Sequence, residues 1–133
     1  MPAYLDTLSS FATYFGTSLA LTAVFLLLYT WITPYREMAL IGTGNRAAAI
    51  SLGGAGLGFV LPLASAIAHS VSLLDMVMWG VVAMVVQLLV FAFARVLGPQ
   101  LVAAINEDRM SVGIALAALS IGVGILNAAC MTY

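Results

Sequence analysis

Residues 44–59 read GNRAAAISLGGAGLGF, and five of the sixteen are glycine. Four of those glycines fall within six positions, 53–58. Two readings compete: a loop that cradles phosphate, or a helix that another backbone approaches closely. The phosphate reading needs a Lys-Ser/Thr pair, or G-x-G-x-x-G after a strand with an acidic residue about 20 positions on. Phe59 stands where the last glycine of that spacing belongs, and no Lys-Ser/Thr pair follows. The stretch therefore reads as a helix built for close packing.

Its surroundings set the solvent. The chain has 133 residues, is 64% hydrophobic and 7% charged, and has a mean hydropathy of +1.16. A soluble domain carries about 25% charged residues, so this composition describes an integral membrane protein. Four stretches approach the roughly 20 apolar residues a spanning helix requires: about 10–33, 46–68, 74–97 and 109–131. Pro34 closes the first and Gly98-Pro99 the third. The N-terminus lacks the basic region of a signal peptide, and the first span is expected to stay in the protein. The chain reads as a single four-helix transmembrane domain.

All four arginines flank two connections, 34–45 and 98–108: Arg36, Arg46, Arg95 and Arg109. The positive-inside rule puts those connections in the cytoplasm and both termini outside, with the HSVSLL turn at 69–74. Tyr29, Trp31 and Tyr35 are expected as an inner aromatic belt, and Tyr4, Trp79 and Tyr133 as the outer one. There are no lysines and the net charge is -1, so no basic patch suits nucleic acid.

A shift of 64 residues aligns Gly16 with Gly80, Ile50 with Ile114, Leu52 with Leu116 and Gly58 with Gly122. It predicts two tandem two-helix repeats, about 5–68 and 69–133, related by a pseudo-twofold axis along the membrane normal. Ala47, Ser51, Gly54, Gly58 and Ser65 share a face of span two. Their mates on span four are Ser111, Ala115, Ala118, Gly122 and Ala129. Small residues let helix backbones meet in lipid, so these faces are expected to pack on each other. The run Ser120-x-x-x-Gly124-x-x-x-Ala128 is a second such seam. Spans one and three, which are bulkier, are expected to face lipid.

Several stretches resemble one family: TPYREMALIGTGNRAAAISLGG (33–54), LPLASAIAHSVSLLDM (61–76), WGVVAMVVQLL (79–89) and GILNAACMTY (124–133). They are similar to the YjfL family of small bacterial inner-membrane proteins, a domain of unknown function. The resemblance implies four helices in two tandem units, a multi-pass inner-membrane location and an association with envelope stress. It implies no activity and assigns no catalytic residue.

A few residues carry chemistry of their own. Gln87, near the middle of span three, needs a polar partner; Thr22 is a candidate, and a pathway-lining role is the alternative. Pro62 leaves the Gly58 carbonyl without its helical donor, which suggests a kink or a binding segment. Asp75 is placed to cap span three, and with His69 offers an outer-mouth proton or cation site. His69, Met76, Met78, Cys130 and Met131 belong near the outer end, where a Cu(I) site is a minor option. Glu37, Glu107 and Asp108 are expected on a solvated face with loose ion pairs. Asn45 and Asn106 are placed to start spans two and four. No Ser/His/Asp set, carboxylate pair or H-E-x-x-H motif is present in the sequence. No enzyme activity and no cofactor are therefore expected. Two functions remain. One is an accessory or scaffold protein of envelope maintenance, with a partner at 34–45 and 98–108. The other is a small ion or solute channel formed by a homo-oligomer.

Overall fold

The structure, a computed structural model, describes residues 2–131, with side chains from Tyr4 to Met131. Tyr133 of the expected outer belt lies outside them. Six helices follow in order: α1 (Pro2–Ile32), α2 (Glu37–Gly42), α3 (Arg46–His69), α4 (Leu73–Leu97), α5 (Leu101–Asn106) and α6 (Met110–Cys130). Four of them, α1, α3, α4 and α6, are long and apolar enough to cross a membrane. They match the four sequence spans closely, except that α1 begins well before residue 10. The two connections each hold a six-residue helix.

Each short helix ends in the same backbone turn. Gly44 N–H donates to the Ile41 carbonyl and Asn45 N–H to that of Leu40. Asp108 and Arg109 donate in the same way to Ile105 and Ala104. This is the Schellman arrangement, which needs a left-handed residue after the helix. Gly44 supplies it at φ 91° and Asp108 at φ 58°; glycine adopts that region freely, and aspartate tolerates it.

The α3–α6 pair is the most extensive helix contact. Their backbones meet where side chains are absent. A methyl on Gly113 would lie 2.7 Å from the Ala47 carbonyl oxygen. One on Gly54 would overlap Ala117, and one on Gly124 would overlap the Gly58 backbone. Nothing hydrophobic drives helices together in lipid, so this close approach is what van der Waals attraction between them requires. Bulkier packing surrounds the seam. Phe25 stacks on Phe59 at 4.7 Å, and Tyr29 meets Phe91 edge-on at 5.6 Å.

α1 is the least buried spanning helix, with 6% of its most apolar window inside the bundle against 44% for α3. Its N-terminal half stands off from α3 and leaves a groove of about 700 Å³ between them. Ser10, Tyr14, Ser18 and Thr22 line one wall of it; Leu63 and Ile67 line the other. α4, expected to face lipid, presents a bulky outer side but buries Met76, Gly80, Ala83, Gln87 and Phe91 inside.

Candidate functional site

On α3, Ala47, Ser51, Gly54 and Gly58 are buried, as their spacing predicts. On α6 the expected face is wrong by about 100–200° of helix rotation. Ser111, Ala115 and Ala118 are exposed, as is Ala129, and Gly122 is half-buried with open space where a side chain would go. The packed residues are Gly113, Ala117, Ser120 and Gly124. The 64-residue shift pairs positions by sequence, whereas two helices in contact meet where their backbones cross. The second seam, through Ser120 and Gly124, is the one α3 meets, and Ser65 reaches it by donating to the Ala128 carbonyl at 3.1 Å.

Gln87 is 1% exposed at the heart of this seam. Its Nε2 donates to the Ser120 carbonyl at 3.2 Å. Thr22, the expected partner, instead donates to Ser18 on its own helix. Gln87 Oε1 makes no hydrogen bond, and it stands 2.7 Å from where a Gly58 methyl would sit. Gln87 lines neither the α1–α3 groove nor the recess described below. Pro62 is buried inside α3, which runs through it as one helix. The Gly58 carbonyl it cannot serve faces Gly124, whose backbone C–H is the donor available there.

The residues expected on the outer side divide between two helix ends. Ser72 accepts from the Asp75 N–H at 3.1 Å, and Asp75 Oδ2 accepts from the Val71 N–H at 3.2 Å. The two bonds form a box that starts α4, closed on the residue before the N-cap. His69 is exposed and turns Nδ1 to the Ser65 carbonyl at 2.9 Å. Met76 and Met131 are buried in one small cluster with Ala66, while Met78 and Cys130 are exposed. Soft ligands are thus spread over different environments. Replacing Ser72 with alanine is expected to cost about 1 kcal/mol of stability, read as a lowered Tm in detergent. An unchanged Tm would show that the box contributes nothing.

The arginine-bearing end departs furthest from expectation. Asn45 does start α3: its Oδ1 accepts from the Ala48 N–H at 2.8 Å, and its Nδ2 donates to the Ile105 carbonyl at 2.8 Å. Asp108 caps the same helix from across the bundle, accepting from the Ala47 N–H at 2.8 Å. Asn106 does not start α6; that position falls to Arg109, which makes no side-chain cap. Glu107 and Arg109 form the expected exposed pair, at 3.1 Å.

Glu37 is no solvated residue. It is 1% exposed, and neither carboxylate oxygen makes a hydrogen bond. Tyr29 and Tyr35, expected in the aromatic belt, are buried beside it at 1% and 4% exposure, and their hydroxyls are also without hydrogen bonds. Only Trp31 of that belt is exposed. Thr33 completes the group and donates its hydroxyl to the Thr30 carbonyl at 3.1 Å. Burial pushes the Glu37 carboxyl above the usual range. Burial, with the Glu37 charge nearby, pushes the Tyr35 hydroxyl up to about 12. A recess of about 280 Å³ adjoins the cluster. Hydropathy could not reveal it, because Thr-Pro-Tyr-Arg-Glu reads as a polar connection.

Together, the four apolar helices and the sparse charge define a multi-pass membrane protein. The chain belongs to the Domain of Unknown Function (DUF350) family, whose model matches residues 3–131. It is 41% identical over 129 residues to the UPF0719 inner membrane protein YjfL of Escherichia coli (strain K12), covering 97% of this chain and 98% of that protein. It is 29% identical over 126 residues to the UPF0719 transmembrane protein YshE of Bacillus subtilis (strain 168), covering 93% and 94%. No solved structure matches it.

Proposed function

We propose that this protein is a membrane-embedded accessory or scaffold element of envelope maintenance, acting through association rather than catalysis. The observation that carries this reading is the closed centre. α3 and α6 touch backbone to backbone at Gly54, Gly58, Gly113 and Gly124, and Gln87 fills the remaining space. A passage along that axis would have to part those contacts. The flank is open by contrast: α1 offers most of its length sideways, and the 700 Å³ groove lies along it.

In this reading the arginine-bearing connections face the cytoplasm and meet a partner there, and α1 takes the lateral contact, with a second copy as one occupant. The matching turns at 40–45 and 104–109 support an arrangement of two tandem units. Proteoliposomes test the closed centre. Flux of cations and anions is expected to equal that of empty vesicles. Flux that disappears in Gln87→Leu would overturn the scaffold reading in favour of a conduit. Photo-crosslinkers at Phe15 and Met38 are expected to give discrete adducts in native membranes. Adducts at neither position would also count against it.

A further inference from the structure

A charge buried without a partner has to be neutralised by something. Desolvating an isolated carboxylate is so costly that it takes up a proton or pairs with a cation. Both Glu37 oxygens are in that position, and the Tyr29 and Tyr35 hydroxyl oxygens beside them are equally buried and unbonded. The Thr33 hydroxyl donates to the Thr30 carbonyl at 3.1 Å, with the Tyr35 carbonyl at 3.5 Å, and its oxygen lies beside the Glu37 carboxyl. The groups facing Glu37 are Tyr29 of α1, with Thr33 and Tyr35 of the connection; the two phenols also face each other, and Ser51 of α3 stands beyond Tyr35 and donates to its own helix. Arg36 lines the recess but is exposed and does not pair with Glu37.

The cluster is closed on one side and adjoins a recess on another. On the membrane side an aromatic layer closes it, with Phe91 edge-on to Tyr29 at 5.6 Å and to Tyr35 at 6.2 Å. On the other side lies the recess, walled by Thr30, Thr33, Tyr35, Glu37 and Met38. Every donor is oxygen, which suits hard cations rather than soft metals. A single carboxylate matches one positive charge, and a divalent ion would remain half compensated.

We propose that the oxygens of Glu37, Tyr29, Tyr35 and Thr33 form a binding site for one monovalent cation, a proton or an alkali-metal ion, at the arginine-bearing end of the bundle. The two phenols enter as neutral oxygen ligands. The site is independent of the scaffold reading, since it holds whether or not the flank binds a partner.

Thermal unfolding of the full chain in detergent, with choline chloride, NaCl or KCl at one ionic strength, tests it. The Glu37 carboxyl binds its proton more tightly folded than unfolded. Its stabilisation is therefore complete below the ordinary glutamate value of about 4.3 and is lost as pH rises through the raised native value. In choline, the wild-type Tm is expected to fall by several degrees relative to Glu37→Gln as pH rises from about 5 to about 9. If an alkali ion is the ligand, Na⁺ or K⁺ restores the wild-type Tm at the upper end and leaves Glu37→Gln unmoved. If a proton alone is the ligand, the pH response remains and the salts are equivalent. Wild type and Glu37→Gln responding alike to both pH and salt would overturn the proposal. Should Glu37→Gln not fold, infrared difference spectra of the wild type decide instead. A protonated-carboxyl band lost on raising pH supports the site, as does a carboxylate shift on exchanging choline for Na⁺ or K⁺. The absence of both changes would overturn it.

Discussion

Gly124→Ala is expected to destabilise the protein strongly, while Gly122→Ala, two residues away on the same helix, is not. The added methyl at position 124 would overlap the carbonyl oxygen, Cα and carbonyl carbon of Gly58. Those atoms are backbone, so no rotamer change makes room; α3 or α6 has to move as a unit. Overpacking of this kind costs about 1–3 kcal/mol, and here the shift also disturbs the Gln87 bond to Ser120. At Gly122 a methyl meets nothing within 4 Å. Alanine is favoured over glycine inside a helix by about 0.5–1 kcal/mol, so that variant should be neutral or slightly more stable. Thermal unfolding of both variants in detergent reads the contrast. Equal Tm values for the two would mean that α3 and α6 do not meet at Gly124.

Asn45→Ala carries the second large effect, about 2–3 kcal/mol of lost stability. One side chain makes two bonds to different parts of the fold. Its carbonyl end caps α3 through Ala48, and its amide end holds Ile105 at the end of α5. The residue is 7% exposed, so neither orphaned group gains full access to water. Asn45→Asp separates the two roles: it keeps the cap acceptor and removes the donor to Ile105. It also sets a charge near Asp108, which already caps the same helix. Asn45→Asp should therefore fall between wild type and alanine at mildly acidic pH and drop toward alanine as pH rises. A variant series with no loss at either substitution would show that the α3 terminus is held by Asp108 alone.

Spans, connections and the α3 face were legible because they follow from composition and from residues adjacent in sequence. Twenty apolar residues mark a span wherever they occur, and Asn45 sits where a helix start demands it. The α6 face was not legible. Ser111, Ala115, Ala118 and Gly122 are as small as Gly113, Ala117, Ser120 and Gly124, so composition offers two faces and only the crossing of the helices selects one. Gln87 was visible as a polar residue at depth, yet its partner is a backbone carbonyl, which sequence does not distinguish from any other. Glu37 was hidden for the opposite reason. A glutamate between arginines reads as solvated, and its burial depends on Tyr29 and Tyr35 folding over it from α1 and the connection. The Schellman turn at 104–109 was equally obscured, because aspartate takes the position that glycine announces at 44.

The Pro62–Gly58–Gly124 contact also sets a clock on how the protein is made. The carbonyl that Pro62 leaves without a donor is covered by a residue synthesised 66 positions later than Gly58. At about 5–20 residues per second, α3, complete at His69, exists for roughly 3–11 s before Gly124 is joined to the chain. For that interval α3 has to reside in lipid, or beside the insertion machinery, with a bare polar atom on the face it later buries. The newborn half-protein is thus an unsaturated surface seeking a small-residue helix, and α6 reaches it last.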